Sequence, residues 1–154
     1  MNKHINTFES FVNEKKSVLP EYLYHLTSSE KYENIKQEGL HPHYSIQSKR
    51  EKGIYLAGDV YVAENYFGFY DSGTEVVLLK VLTKGLIPEK FGPDDYELQD
   101  FLNDGGWGNS DRKIKLYHNC HDVPWELSLK WVNQVQYHDT IPQQNIEVIK
   151  IFLV

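Results

Sequence analysis

One histidine, two tyrosines and two glycines fall at separations suited to a binding cleft. His25 lies in the apolar run Tyr24-His25-Leu26-Thr27, and a Gly39-Leu40 pair follows fourteen residues after it. Gly53-Ile54-Tyr55-Leu56-Ala57 then leads to Ala63-Glu64-Asn65-Tyr66, which sets Tyr66 eleven residues beyond Tyr55. A neutral imidazole donates one hydrogen bond and accepts another, and tyrosine faces attract flat cationic rings. Taken singly, a strand histidine or a core-facing tyrosine is explained by packing inside a small domain. Packing alone does not require all of them at these separations, so the set points to a pocket.

The elements that must carry these residues follow from pattern. Tyr22 to Leu26 is an apolar run fit for a strand. Ser28 and Ser29 are caps for a helix through Tyr32, Ile35 and Lys36, which ends where Gly39 can turn left-handed. His41 to Lys52 is polar and patternless, a loop able to move over a site. Gly53 to Ala57 predicts a strand, helical spacing resumes at Val62, Ala63, Tyr66 and Phe67, and a Gly73 turn precedes a strand from Glu75 to Val81. Tyr96, Leu98, Phe101 and Leu102 suggest a short helix capped near Asp94, with Gly105-Gly106-Trp107-Gly108 as a flexible break. Two late strands are expected, Leu129 to Tyr137 and Ile146 to Leu153, joined through Ile141-Pro142. Upstream, Thr7 to Lys16 predicts an amphipathic helix with Phe8, Phe11 and Val12 on one face and Thr7 as its cap. The expected organisation is an N-terminal helical extension, residues 1–19, and one strand-rich α+β domain, residues 20–154.

Composition limits the function classes. The 154 residues suffice for one domain with a real core. The apolar stretches Val76 to Leu79 and Ile149 to Val154 fall far short of a membrane span, and no charged-then-apolar leader opens the chain, so a soluble cytoplasmic protein is expected. Cys120 is the single cysteine, which rules out an internal disulfide and a thiolate-rich metal site. His118, Cys120 and His121, with His41 or His43, match no ligand framework, and no metal cofactor is expected. A net charge of −6 argues against broad nucleic-acid binding, which depends on Lys and Arg displacing counterions. The local exception, Lys49-Arg50-Lys52, is best understood as a solvated loop.

The order and gaps of Tyr24-His25-Leu26-Thr27, Gly39-Leu40, Gly53-Ile54-Tyr55-Leu56-Ala57 and Tyr66 resemble the ADP-ribosyltransferase superfamily. The similarity is to its diphtheria-toxin-like branch, which includes the poly(ADP-ribose) polymerases and carries a His, Tyr, Glu signature. It covers residues 22 to 67 well and the C-terminal strand pair loosely. The resemblance implies two small facing β-sheets with peripheral helices, a central cleft, and NAD⁺ as substrate or ligand. It implies that His25 bonds the adenosine-side ribose, that Tyr55 and Tyr66 flank nicotinamide, and that Leu26, Thr27 and Gly53 line the NAD⁺ site. It also implies a macromolecular acceptor, protein or nucleic acid. The opening Asn6-Thr-Phe-Glu-Ser-Phe-Val-Asn-Glu14 resembles the start of many proteins of large tailed phages, which implies a phage origin and the host cytoplasm as location.

The family's third signature residue is a glutamate on a late strand, before an Ile-Pro step, where it contacts the ribose. Counting back from Ile141-Pro142 reaches Gln134 instead. Gln134 and Gln136 share one face of their strand while Val135 takes the other. Glutamine bonds a ribose hydroxyl but carries no charge and cannot act as a base, a contribution worth about 10²–10⁴ in rate. Three outcomes stay open: retained transfer, an acid entering from elsewhere such as Glu126 in Pro124-Trp125-Glu126, or NAD⁺ binding without turnover by a sensor or sponge. RNA 2′-phosphotransferases, similar in fold, use NAD⁺ without the late glutamate, but their arginine set is poorly matched by Arg50 and Arg112. The triplets His25-Leu26-Thr27 and His138-Asp139-Thr140 resemble the paired motifs of two-histidine phosphoesterases. That chemistry requires both imidazoles in one cleft.

Overall fold

The computed structural model describes residues 19–43 and 52–154. The expected helix from Thr7 to Lys16, most of the 1–19 extension, and Lys49 and Arg50 lie outside these residues.

Strand β1 spans Tyr22–Ser28 and passes directly into helix α1, Ser29–Glu38. Ser28 starts the helix by accepting a hydrogen bond from the Lys31 amide, and Glu30 complements the positive end of its dipole. Gly39 ends it at φ 82°, and a Cβ there would lie 2.5 Å from the Ile141 carbonyl oxygen. The position therefore needs glycine for conformation and for space. Strand β2, Ile54–Ala57, leads into α2, Val60–Glu64, which Asp59 caps through the Val62 amide. The chain continues in a 3₁₀ turn, Asn65–Phe69, that carries Tyr66. Then follow β3 (Glu75–Leu82), β4 (Phe91–Pro93), α3 (Leu98–Asn103), α4 (Trp125–Val132), β5 (Gln134–Tyr137) and β6 (Ile146–Leu153).

The strands form one six-stranded sheet in the order β4-β5-β2-β1-β3-β6, and every neighbouring pair is antiparallel. The family resemblance implies two facing sheets; the hydrogen-bonded order is instead a single sheet with a weak seam. β1 pairs β3 from Tyr22 through Ser28, and β2 pairs β5 from Ile54 through Ala57. Between β1 and β2 only Tyr24 and Ala57 pair. Past Ala57 the chain turns away through Gly58 into α2, and beside Tyr55 a histidine side chain takes the place of a backbone rung. Two three-stranded halves thus meet at one position.

The late segment also departs from expectation. Leu129 to Tyr137 is predicted as one strand, but Trp125–Val132 is helix α4 and the strand begins at Gln134. Ser128, Leu129 and Val132 are buried at helical spacing, and Asn133 at φ 58° ends the helix left-handed. The Gly105 to Gly108 stretch is a defined turn, with φ of 75°, 89°, 49° and 82° along it, rather than a flexible break.

Apolar packing holds the halves together. On one sheet face Leu23, Leu79, Ile54, Leu56 and Val135 join Ile35 of α1 and Ile141 in a core that crosses the seam. On the other, Leu26, Ala57, Val76 and Leu78 pack beneath Ala63 of α2. Each such large side chain contributes about 1.5–3 kcal/mol on burial, far more than the single backbone pair at the seam. Among the described residues no helix is long and apolar enough to cross a membrane.

Candidate functional site

Residues opposed across an antiparallel pair share a face. The registers Tyr24 with Ala57, Tyr55 with Gln136 and Ala57 with Gln134 therefore put Tyr55, Gln134 and Gln136 on the Tyr24 face. The turn after α2 lays Tyr66 over that face. Its ring centroid is 6.4 Å from that of Tyr55 at an interplanar angle of 32°. Phe69 and Tyr96 complete an aromatic cluster at 5.7 and 6.2 Å from Tyr66. A flat ring held between two aromatic faces needs about 7 Å, two contact layers of about 3.5 Å each. The Tyr55 and Tyr66 rings are tilted rather than face to face and sit closer than this.

The polar ends of these side chains form a connected set. The Tyr66 hydroxyl donates to Gln134 Oε1, and Gln134 Nε2 donates to Glu97 Oε2 at 2.9 Å. The Tyr55 hydroxyl donates to Asp95 Oδ1, and Gln136 Nε2 donates to the Pro93 carbonyl at 3.1 Å. A carboxylate only accepts, so the amide of Gln134 has one consistent orientation. Burial, reinforced by the nearby Asp94 and Glu97, pushes the Tyr66 phenol far above its usual range. Tyr66 therefore stays a donor.

The acids arrive on a turn built by Asp94. Its Oδ2 accepts from the amides of Tyr96, Glu97 and Leu98 at 3.2, 2.7 and 3.1 Å, which starts α3 and turns Asp95 and Glu97 toward the sheet. Ser128 fastens this turn to β5, donating to the Gln134 carbonyl at 2.7 Å while accepting from the Asp94 amide at 2.9 Å. Burial raises the Asp94 carboxyl to about 6 against the pull of the Glu97 and Leu98 amides. Burial also raises Glu97, which the bond from Gln134 counteracts. Two buried oxygens in this corner, Asp94 Oδ1 and Gln136 Oε1, have no hydrogen-bond partner among the described residues.

His25 occupies the seam. Its Nδ1 lies 2.7 Å from the Tyr55 carbonyl oxygen, which must accept, so Nδ1 carries the proton and Nε2 is left as the acceptor. Burial lowers its pKa to about 4, offset in part by that carbonyl. The imidazole is thus neutral, and its donor is already committed to the protein. Strand alternation sends the His25 side chain to the face opposite Tyr55, Tyr66 and Gln134; it joins them only through the Tyr55 backbone.

The remaining expected residues divide. Leu26 is buried in the cluster beneath α2, and its carbonyl accepts from the Tyr70 hydroxyl at 3.4 Å; Thr27 is buried on the His25 face. Gly53 is a glycine for packing reasons, since a Cβ would lie 2.3 Å from Gln136 Oε1 and 3.2 Å from His138 Cε1. His138 stands on the Tyr55 side, its ring against Gly53 and Gly92, while His25 points to the other side. Thr140 pairs with His41 Nδ1 at 2.9 Å. The two His-x-Thr triplets are therefore not directed into one cleft. Among the described residues no three His, Cys, Asp or Glu side chains are grouped to hold a metal ion. Glu126 sits in the first turn of α4, and the acid bonded to Gln134 is Glu97. Spacing gives no hint of it, because Glu97 and Gln134 lie on separate elements, 37 positions apart. No family model and no curated protein matches the chain.

Proposed function

We propose that the protein is an ADP-ribosyltransferase-like NAD⁺ protein that transfers ADP-ribose to a protein or nucleic-acid acceptor. The observation that carries this reading is the convergence of Tyr55, Tyr66 and Gln134 on one sheet face, tied together by the Tyr66 to Gln134 hydrogen bond. The seam between β1 and β2, bordered by His25, supports an ADP-ribosyltransferase type of fold with its cleft between two half-sheets. In this reading nicotinamide enters between the Tyr55 and Tyr66 rings, which swing from their tilted arrangement to stack on it. Gln134 then meets the ribose, while His25, on the opposite face of the sheet, acts on the site through its bond to the Tyr55 carbonyl. The likeness of residues 6–14 to phage proteins makes an effector acting in the host cytoplasm the natural setting.

A second reading has one observation in its favour: Gln134, almost fully buried, stands where a carboxylate is expected. It is a domain that binds NAD⁺ or a related nucleotide as sensor or sponge. Incubation with nicotinamide-labelled NAD⁺ and a cell lysate separates the two. Release of labelled nicotinamide, with the ADP-ribose of a parallel adenylate-labelled NAD⁺ sample appearing on an acceptor, supports transfer, and saturable binding without release supports the sensor. Calorimetric titration of His25→Ala, Tyr55→Ala and Tyr66→Ala tests the pocket itself. Unchanged affinity in all three variants rules it out.

A further inference from the structure

The side chain bonded to Gln134 Nε2 is a carboxylate, and it comes from a segment that the late-strand signature does not include. Glu97 projects from the Asp94 turn at the head of α3, half-buried, with Oε2 2.9 Å from Gln134 Nε2. Gln134 is held at its other end by Tyr66. An amide gripped between a phenol and a carboxylate cannot flip without breaking both bonds. Its nitrogen is polarised by a negative charge one hydrogen bond away.

Resting on the NAD⁺ reading above, we infer that Glu97 supplies the negative charge the late strand lacks and stabilises the cationic ribose as nicotinamide departs. In that step the bond between ribose C1′ and the pyridine nitrogen breaks. Its electron pair goes to nicotinamide, which leaves neutral, and positive charge develops over C1′ and the ring oxygen. A lone pair from water or from a hydroxyl or amine of the acceptor then bonds to C1′, and the nucleophile's proton passes to solvent. Glu97 acts across Gln134, as a positioning residue and a charge. At the effective dielectric of a partly buried site, a unit charge about 6 Å from any developing cation favours it on the order of 10²-fold. The environment agrees: burial would favour the neutral acid, while the bond from Gln134 favours the carboxylate. Asp94 and Asp95 on the same turn, Asp100 on α3, and the phenols of Tyr55 and Tyr66 are the other titratable groups around it.

The test is release of labelled nicotinamide by the full chain, with water as acceptor, alongside calorimetric NAD⁺ affinity. Glu97→Gln keeps shape and an acceptor oxygen but removes the charge. It is expected to lower kcat about 10²-fold with KM and NAD⁺ affinity within about threefold. Glu97→Asp should retain activity within about tenfold of wild type, and Gln134→Glu placed in the Glu97→Gln background should restore most of the loss, because it returns a carboxylate to the pair, one hydrogen bond from where Glu97 carried it. A purely structural role would lower the melting temperature and give no rescue by Gln134→Glu. Wild-type turnover that Glu97→Gln leaves unchanged overturns the inference and leaves the NAD⁺ reading standing. Binding without any wild-type release also overturns the inference, and absence of both binding and release overturns the reading beneath it.

Discussion

Burial sets the charge state of two residues at the cleft in opposite senses, and acid stability should expose both. His25, lowered from 6.5 to about 4, is neutral when folded and takes up a proton on unfolding. Its stabilising contribution is complete above 6.5 and is lost as pH falls through 4, a change of about 3 kcal/mol. Asp94, raised from 3.8 to about 6, behaves the other way: its contribution is complete below 3.8 and is lost as pH rises through 6. The slopes oppose each other between about pH 4 and 6, so wild-type stability by urea titration should be nearly flat there. His25→Gln should instead grow more stable on acidification over that range; a variant parallel to wild type would show that His25 is not buried neutral. A second prediction concerns the hydroxyl of Tyr66. Tyr66→Phe strips the nearly buried Gln134 oxygen of its donor and should cost about 1–3 kcal/mol in denaturant unfolding. At this scale the sequence was legible where chemistry follows local spacing. Tyr55, Tyr66 and Gln134, expected from spacing and from counting back from Ile141-Pro142, share one sheet face, whereas His25 falls on the other; Glu97 could not be expected there, since a buried carboxylate bends the chain to bring it.

Elements were legible where a period or a cap marks them. Ser28, Gly39 and Gly73 mark turns that the structure contains, and β1, α1, β2, β3 and β6 fall close to their expected places. The failure at Leu129 to Tyr137 has a physical source. An apolar run with Trp131, Val132 and Val135 suits either period, and tertiary burial of Ser128, Leu129 and Val132 decided for helix up to Asn133. Glycines at element boundaries give the sharpest tests. Gly39→Ala forces a methyl against the Ile141 carbonyl oxygen at positive φ and should cost about 2 kcal/mol or more. Gly53→Ala meets the movable end of Gln136, so a loss of about 1–3 kcal/mol is expected, with NAD⁺ affinity reduced as Gln136 is displaced. Equal melting temperatures for Gly53→Ala and wild type would show that Gln136 relaxes freely.

For the whole molecule the governing feature is the seam at Tyr24 and Ala57. One backbone pair and the His25 to Tyr55 bond are the rungs between the half-sheets, whereas the shared apolar core beneath does the holding. A ligand seated across the seam should slow hydrogen exchange at residues 24–28 and 54–57 more than along α1. Uniform protection over all these segments would argue against a ligand bridging the halves. An α+β domain was legible from composition and pattern; one sheet rather than two was not, because strand pairing is long-range and leaves no local mark.

The seam also divides the chain in an unusual way. One wall is woven from the first, third and sixth strands and the other from the second, fourth and fifth, so any uninterrupted stretch of sequence that spans one wall also carries a strand of the other. Neither can be cut out as a fragment, traded by exchanging contiguous pieces, or folded while its counterpart is still missing. The seam is inherited whole, and a single cut through the chain, wherever it falls between β2 and β5, leaves strands of both walls on both pieces.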